Sequence, residues 1–233
     1  MTSRISVVPV LLAVTVSGCA STTSGTATPA TPAASLTTEA GLPTALLSAG
    51  EVAADLGSPD IVVTNEVSTP WDHSAQFPAG TDPGCLAIAG AAQRAAYEGS
   101  GWTVLRGQVL REPPAAQAWS HFATQAVVLF TTATAASDFF ERSRQAWAAC
   151  SDRELSYPEQ PAPEQVWSVG PTAASRDMLT VSRSQRSPQQ WSCQRALTVR
   201  GNAAVDVEAC SLDGPTDAAA AMAGTIGDRL PAA

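Results

Sequence analysis

Alternating apolar and polar positions predict the strands of this chain, and helical spacing predicts its helices. Residues 191–200 and 203–211 alternate on either side of Gly201-Asn202, a dipeptide typical of a two-residue hairpin loop. The denser apolar run at residues 125–130 is typical of a buried central strand. Weaker alternation predicts further strands at residues 102–111, 165–169 and 178–185.

Helical patterns lie at both ends of this block of strands and within it. Residues 136–150 and 219–230 carry apolar side chains at helical spacing. Ser48 and Glu51 form a capping-box pattern ahead of a short helix. We also predict a single helix over residues 84–98. Helices at both ends of a series of consecutive strands predict an α+β fold with a helix-covered sheet.

The first 41 residues have a different character from the rest. A short apolar segment after one arginine runs into Val16-Ser17-Gly18-Cys19-Ala20, which resembles a bacterial lipobox. We predict a lipoprotein signal peptide over residues 1–18 and acylation of Cys19, for example by palmitate. Residues 19–41, rich in Ser, Thr, Pro and Ala, then form a disordered stalk below a domain at 42–233. The alternative is ordinary secretion with a coincidental cysteine.

Four cysteines remain beyond the signal segment, and export makes disulfide bonds permissible. In the predicted hairpin Arg200 faces Ala203, which places Cys193 directly opposite Cys210. The pair Cys85–Cys150 follows by elimination. A four-cysteine metal site would need closely spaced cysteine pairs, so we expect neither a metal nor a cofactor.

A series of motifs runs along the predicted strands. It begins with Gly99-Ser100-Gly101-Trp102, continues through residues 106–113 and 191–200, and ends with Asp206-Val207-Glu208-Ala209-Cys210. In order and spacing the motifs resemble the PknH-like extracellular sensor domains, a mycobacterial family of kinase ectodomains and stand-alone lipoproteins. The resemblance implies an antiparallel β-sheet packed with helices around a cleft, two disulfides and a ligand-sensing role. The lipobox favours the lipoprotein kind.

We therefore predict a non-enzymatic, lipid-anchored domain on the extracytoplasmic face of the cell membrane. Its expected ligand is a cell-wall fragment, a lipid or a small molecule, and a membrane protein is a possible partner. A formal net charge of -8 argues against binding to nucleic acid. The alternatives are an exported hydrolase that uses His121 or His73, and a structural lipoprotein of the cell envelope.

Strand arginines and tryptophans are the candidate binding residues. We expect the two arginines of each strand to share one sheet face, which would make a basic patch for a carboxylate or phosphate if that face is open. The tryptophans would line an apolar pocket. Solvated or locally paired arginines, and tryptophans that only fill the core, are the alternatives. The candidates are Arg106, Arg111, Arg195, Arg200, Trp102 and Trp191.

Overall fold

The computed structural model describes residues 36–72, 83–113, 119–157, 165–187 and 189–231. They form one eight-stranded antiparallel sheet in the order β1-β2-β3-β8-β7-β6-β5-β4, which confirms the predicted fold class. The strands are β1 (Val62–Val67), β2 (Trp102–Arg111), β3 (His121–Phe130), β4 (Glu154–Tyr157), β5 (Gln165–Ala174), β6 (Met178–Ser187), β7 (Ser192–Arg200) and β8 (Ala203–Ser211). The α-helices are α1 (Leu42–Ala45), α2 (Ala49–Leu56), α3 (Arg94–Tyr97), α4 (Ala133–Ala149) and α5 (Ala218–Arg229).

The β7–β8 hairpin has the predicted register. Arg200 pairs with Ala203 and Cys193 with Cys210, and the two cysteines form a disulfide with their Cα atoms 4.0 Å apart. Gly201 in the turn has a φ of 53°, a conformation that suits glycine. The second predicted disulfide, Cys85–Cys150, is also present and ties the 3-10 helix Pro83–Ile88 to the end of α4.

One face of the sheet, which we call the α5 side, packs against α1, α2 and α5. Alternate residues of β8 on this side are fully buried and apolar, namely Ala203, Val205, Val207 and Ala209. These small side chains leave room for Met222 and Ile226 of α5, which are also fully buried. The α5 side is therefore a closed apolar core.

The opposite face, which we call the α4 side, packs against α4, α3 and the 3-10 helix Pro83–Ile88. It contains an aromatic core that includes Phe130, Phe139 and Trp147. The alternate residues of β8 here include Asp206 and Glu208, both buried. The α4 side therefore contains charged groups that the α5 side of the same strand lacks.

The single helix predicted over residues 84–98 is wrong. The segment consists of the 3-10 helix Pro83–Ile88 and the one-turn helix α3, separated by a turn in which Ala92 has a φ of 57°. The backbone of this turn bonds to other parts of the chain. Trp71 N–H donates to the Ala92 carbonyl (2.7 Å), and Ala92 N–H donates to Asp206 (2.9 Å). These tertiary bonds replace the ones that a continuous helix would make.

The amino-terminal segments fall largely outside the described residues, including the predicted signal peptide and Cys19. The described end of the predicted stalk contacts the sheet. Thr37 N–H donates to the Asn202 side chain (2.8 Å), and Glu39 forms an ion pair with Arg106. None of the helices in the described part of the chain is long and apolar enough to cross a bilayer.

Candidate functional site

A fully buried ion pair lies at the centre of the α4 side. The Arg195 guanidinium donates two hydrogen bonds of 2.9 Å to the Asp206 carboxylate and lies 4.7 Å above the Trp147 ring. The Tyr97 hydroxyl and the Ala92 N–H also donate to Asp206. Both carboxylate oxygens thus have donors, which is what a buried charge requires.

The ionisation of this cluster is fixed by its surroundings. Burial disfavours a charged Arg195, but the Asp206 carboxylate outweighs that effect and raises the pKa of the guanidinium. Burial also raises the pKa of the Tyr97 hydroxyl well above its usual value, and the charge on Asp206 raises it further. Tyr97 is therefore a neutral hydrogen-bond donor.

A second ion pair, Arg183–Glu208, lies beside the first and is less completely satisfied. Arg183 of β6 reaches Glu208 of β8 across the intervening strand β7, and its guanidinium lies 4.9 Å from the Trp167 ring centre. The side chains of Arg183 and Glu208 are only 4% and 9% exposed, yet Arg183 Nε has no hydrogen-bond partner. The cysteine sulfurs next to Glu208 are disulfide-bonded, so they do not offer the thiolates that bind metals.

Glu208 also forms part of the wall of a cavity of about 300 Å³. The cavity lies between the sheet and the turn that connects the 3-10 helix Pro83–Ile88 to α3, and its volume is at the small end of the range for ligand pockets. It is lined by Trp71, Ala89, Gly90, Ala91, Gln93, Val109, Phe122, Thr124 and Glu208. We call it the Glu208 cavity.

Glycine at position 90 keeps the Glu208 cavity open. A Cβ atom on Gly90 would lie 3.1 Å from Glu208 Oε2 and 3.3 Å from Gln93 Nε2, closer than ordinary contacts. The turn around Gly90 is held in place from several directions. Arg94 N–H donates to the Trp71 carbonyl (2.7 Å), and Arg195 donates to the Ala87 carbonyl. The cavity is therefore preformed, which reduces the ordering cost of binding.

A larger hollow of about 530 Å³ lies between α4 and the β5–β6 turn. Its charged residues, which include Asp138 and Arg176, are exposed, and Glu141 and Arg144 form an ion pair with each other at 2.6 Å. Exposed groups of this kind are already hydrated. The smaller Glu208 cavity, with its buried polar wall, is the better candidate site.

The predicted basic patch does not form. The arginines of each strand are five residues apart, and this odd separation places them on opposite faces, so the expectation of a shared face was wrong. Each arginine is also engaged locally. Arg106 pairs with Glu39, Arg195 with Asp206 and Arg200 with Asp177, while Arg111 lies 5.1 Å from the Trp119 ring centre.

The two predicted tryptophans do not line the Glu208 cavity. Trp102 is half-buried and packs edge-on against Tyr97, with ring centres 6.5 Å apart. Trp191 is 6% exposed and lies in a cluster with Phe122 and Trp119, and its indole N–H donates to Gln189 (3.0 Å). Both side chains fill aromatic clusters, which was the alternative interpretation.

His121 is buried between two carboxylates, and His73 lies outside the described residues. The Nδ1 atom of His121 is 2.9 Å from Glu112 and 3.1 Å from the Ser120 hydroxyl, and its Nε2 atom is 3.3 Å from Asp213. A serine-histidine-acid triad needs the serine and the acid on different ring nitrogens. Here the serine and Glu112 share one nitrogen and a second carboxylate faces the other, so the arrangement differs from a triad.

Glu112 is strongly stabilised as a carboxylate. Burial opposes its ionisation, but hydrogen bonds from the His121 ring, from the His121 backbone N–H and from Ser58 lower its pKa to about 2. The group connects the end of β2 to the start of β3 and to the segment after α2. The geometry of Glu112 indicates that it links these three segments structurally, at the edge of the α5 side.

Comparison with known proteins places this geometry in a family. The sequence model of the PknH-like extracellular domain matches residues 37–229. The chain belongs to this family. It is 31% identical over 189 residues to the serine/threonine-protein kinases PknH of Mycobacterium bovis and Mycobacterium tuberculosis. The match covers 79% of this chain but only 30% and 28% of those kinases, so the chain spans less than a third of their length.

A solved structure shares the fold. The crystal structure of the extracellular domain of PknH from Mycobacterium tuberculosis matches with a TM-score of 0.76 and 28% identity. The match covers 84% of this chain and 98% of that domain. The matched part of the kinase is an extracellular domain, which indicates an extracytoplasmic location for this chain.

Sequence reasoning missed the residues that line the cavity in this PknH-like domain. One signal was available, because the hairpin register that pairs the cysteines also places Arg195 opposite Glu208. Acidic residues at alternate positions of an apolar strand, facing an arginine, indicate a buried charged cluster. Trp71 and Gly90 carried no such signal, because tertiary bonds of the turn bring them to the cavity.

Proposed function

We propose that this chain is a lipid-anchored sensor-type domain that binds a small ligand in the Glu208 cavity and has no catalytic role. The observation that carries the proposal is the combination of a preformed cavity with buried polar side chains in its wall. Among them, Glu208 is held by Arg183 and faces the open space beside Gly90. A cavity with a few oriented polar groups in a mostly apolar lining is typical of small-molecule sites.

In this proposal the cavity binds its ligand through the fixed positions of its wall residues. The cavity floor is formed by β2, β3 and β8, and its lip by the turn before α3. The lip is tied to the Arg195–Asp206 pair below it, through Ala92 and Ala87. A ligand that changes the contacts of the lip would thus act on the buried ion pairs and on α4, which carries Cys150 at its end. That connection is a route by which occupancy would reach a membrane protein partner.

Ligand binding is tested by native mass spectrometry of the full chain, released from membranes of an exporting and oxidising host. We expect a co-purifying small molecule, or a mass shift after incubation with cell-wall, lipid and metabolite extracts. The Gly90→Ala variant should lose that shift. An unoccupied chain that responds to no extract would contradict the proposal and favour the alternative of a structural envelope lipoprotein.

The lipid anchor is tested separately. We expect metabolic labelling with a palmitate analogue to mark the wild-type chain, and Cys19→Ala to abolish the label and release the protein from the membrane fraction. Cys193 and Cys210 provide the internal control, because disulfide-bonded cysteines cannot be acylated. A labelled, membrane-bound Cys19→Ala variant would rule out the predicted anchor.

A further inference from the structure

Three residues that line the Glu208 cavity are more than nine-tenths buried, and each has a polar side-chain group with no hydrogen-bond partner among the described residues. Gln93 and Thr124 are each 7% exposed and Glu208 is 6% exposed. No described group hydrogen-bonds the Gln93 amide or the Thr124 hydroxyl, and Glu208 uses only Oε1 in its ion pair with Arg183. These polar atoms are open to the cavity, so a ligand bound there can supply hydrogen-bond partners to all three residues.

The chemistry of these groups requires a ligand with several hydrogen-bonding atoms. Glu208 Oε2 only accepts hydrogen bonds, while the Thr124 hydroxyl and the Gln93 amide both donate and accept. A set of hydroxyl groups matches all three, because each hydroxyl can also donate and accept. The three residues come from different elements, since Thr124 lies in β3, Glu208 in β8 and Gln93 directly before α3. The groups thus approach a ligand from more than one side.

The charges around the cavity favour a neutral ligand. A carboxylate in the wall disfavours anions, and Arg183, which forms an ion pair with that carboxylate, is already occupied as its partner. A cation would also be disfavoured, because Arg183 has neutralised Glu208 and the added charge would have no counterion. A neutral ligand differs from the carboxylate or phosphate that was expected from the strand arginines.

The remaining walls are apolar and partly aromatic. Trp71 and Phe122 contribute rings, and Val109, Ala89 and Ala91 contribute aliphatic surface. A saturated ring with hydroxyl groups has apolar C–H faces that pack on such walls and a polar rim that reaches Glu208, Thr124 and Gln93. We infer that the Glu208 cavity binds a neutral, hydroxyl-bearing ring of monosaccharide size. The inference rests on the proposed function and specifies its ligand.

The test compares neutral sugars with charged sugars of similar size. The full, oxidised chain is titrated with glucose, glucosamine and glucuronic acid, together with the neutral sugars galactose, mannose, arabinose and N-acetylglucosamine, by ligand-observed NMR and calorimetry. We expect at least one neutral sugar to bind, with its charged analogues at least about tenfold weaker. A preference for a charged analogue, or binding of none of these sugars, would overturn the inference.

Two variants connect that binding to the cavity. Gly90→Ala places a methyl group beside Glu208 and Gln93, and we expect at least about tenfold weaker binding. Thr124→Val keeps the side-chain shape but removes the hydroxyl, and we expect about fivefold weaker binding. Gly50→Ala is the matched control, because a Cβ there meets nothing within 4 Å. Unchanged affinity in both cavity variants, with their folds intact, would place the sugar elsewhere and overturn the inference.

Failure of the ligand class and failure of the proposed function give different results. If every sugar fails but a co-purifying molecule of other chemistry is lost in Gly90→Ala, the cavity is a binding site and only the ligand class is wrong. If no extract shifts the mass of the wild-type chain, both the site and its ligand class are contradicted.

Discussion

The two faces of β8 bury different kinds of side chain, apolar on the α5 side and charged on the α4 side. On the α5 side, Val205 and Val207 are fully buried in a closed apolar core. On the α4 side, Asp206 and Glu208 are also buried but have arginine partners, and Glu208 also borders a cavity. Because side chains alternate between the two faces of a strand, these contrasting groups are neighbours in sequence but lie on opposite faces of the sheet.

The difference separates what stabilises the domain from what it can bind. Apolar burial on the α5 side contributes to the free energy of folding, but it is non-directional and does not hold polar groups in defined positions. Buried ion pairs are weak contributors to net stability, because desolvation offsets most of their attraction. Their presence on the α4 side, next to a preformed cavity, indicates a side adapted to hold polar groups in position.

The largest predicted effect is the loss of Asp206. Asp206→Ala would leave Arg195 charged and buried, and would leave Tyr97 and the Ala92 N–H without their acceptor. We expect a loss of about 5 kcal/mol in the free energy of unfolding, because an uncompensated buried charge is expensive. Urea unfolding followed by circular dichroism measures it.

Val207→Ala, on the other side of the same strand, is the comparison. It removes only apolar volume, and we expect a loss of about 2 kcal/mol. The double variant Arg195→Met/Asp206→Leu should recover much of what Asp206→Ala loses, because it removes both charges together. Equal losses in Asp206→Ala and Val207→Ala would contradict the contrast between the two sides.

The disulfides give the next largest effect. Replacing Cys85 and Cys150 by alanine opens a loop with a sequence separation of 65, and the chain-entropy model predicts a loss of about 4 kcal/mol. The same change at Cys193 and Cys210, with a separation of 17, should cost about 3 kcal/mol. Thermal unfolding with and without a reductant measures the effect. Unchanged melting after verified reduction of both bonds would contradict it.

Much of the fold was predictable from local pattern, and most of the candidate site was not. The Gly201-Asn202 turn and alternating strands fixed the register of the β7–β8 hairpin, and through it a disulfide. Strand β1 (Val62–Val67) escaped prediction because it is an edge strand with little buried surface. The turn around Gly90 was misread as helix because its backbone bonds to distant residues, which no local pattern records.

Acid should weaken the α5 side at its margin, through Glu112. Its pKa in the folded protein, about 2, lies below the ordinary 4.5, so its contribution is complete above about pH 5 and is lost as pH falls toward 2. A difference of that size corresponds to about 3 kcal/mol. We expect urea midpoints measured across this range to fall more steeply in the wild type than in Glu112→Gln. Parallel pH profiles of the two proteins would be the contrary result.

The smallest predicted effect tests whether stability and binding are separable. Ser48 caps α2 on the α5 side, where its hydroxyl accepts from Glu51 N–H and the Glu51 carboxylate accepts from Ser48 N–H (2.8 Å). Ser48→Ala should cost about 1 kcal/mol in the free energy of unfolding, because it leaves a helix-end donor without its cap. Ligand affinity should not change, since α2 does not contact the Glu208 cavity. Thr124→Val should show the reverse pattern, with weaker binding at nearly unchanged stability. If Ser48→Ala weakened binding as much as Thr124→Val, the two sides of the sheet would be coupled, and the division of roles along β8 would not hold.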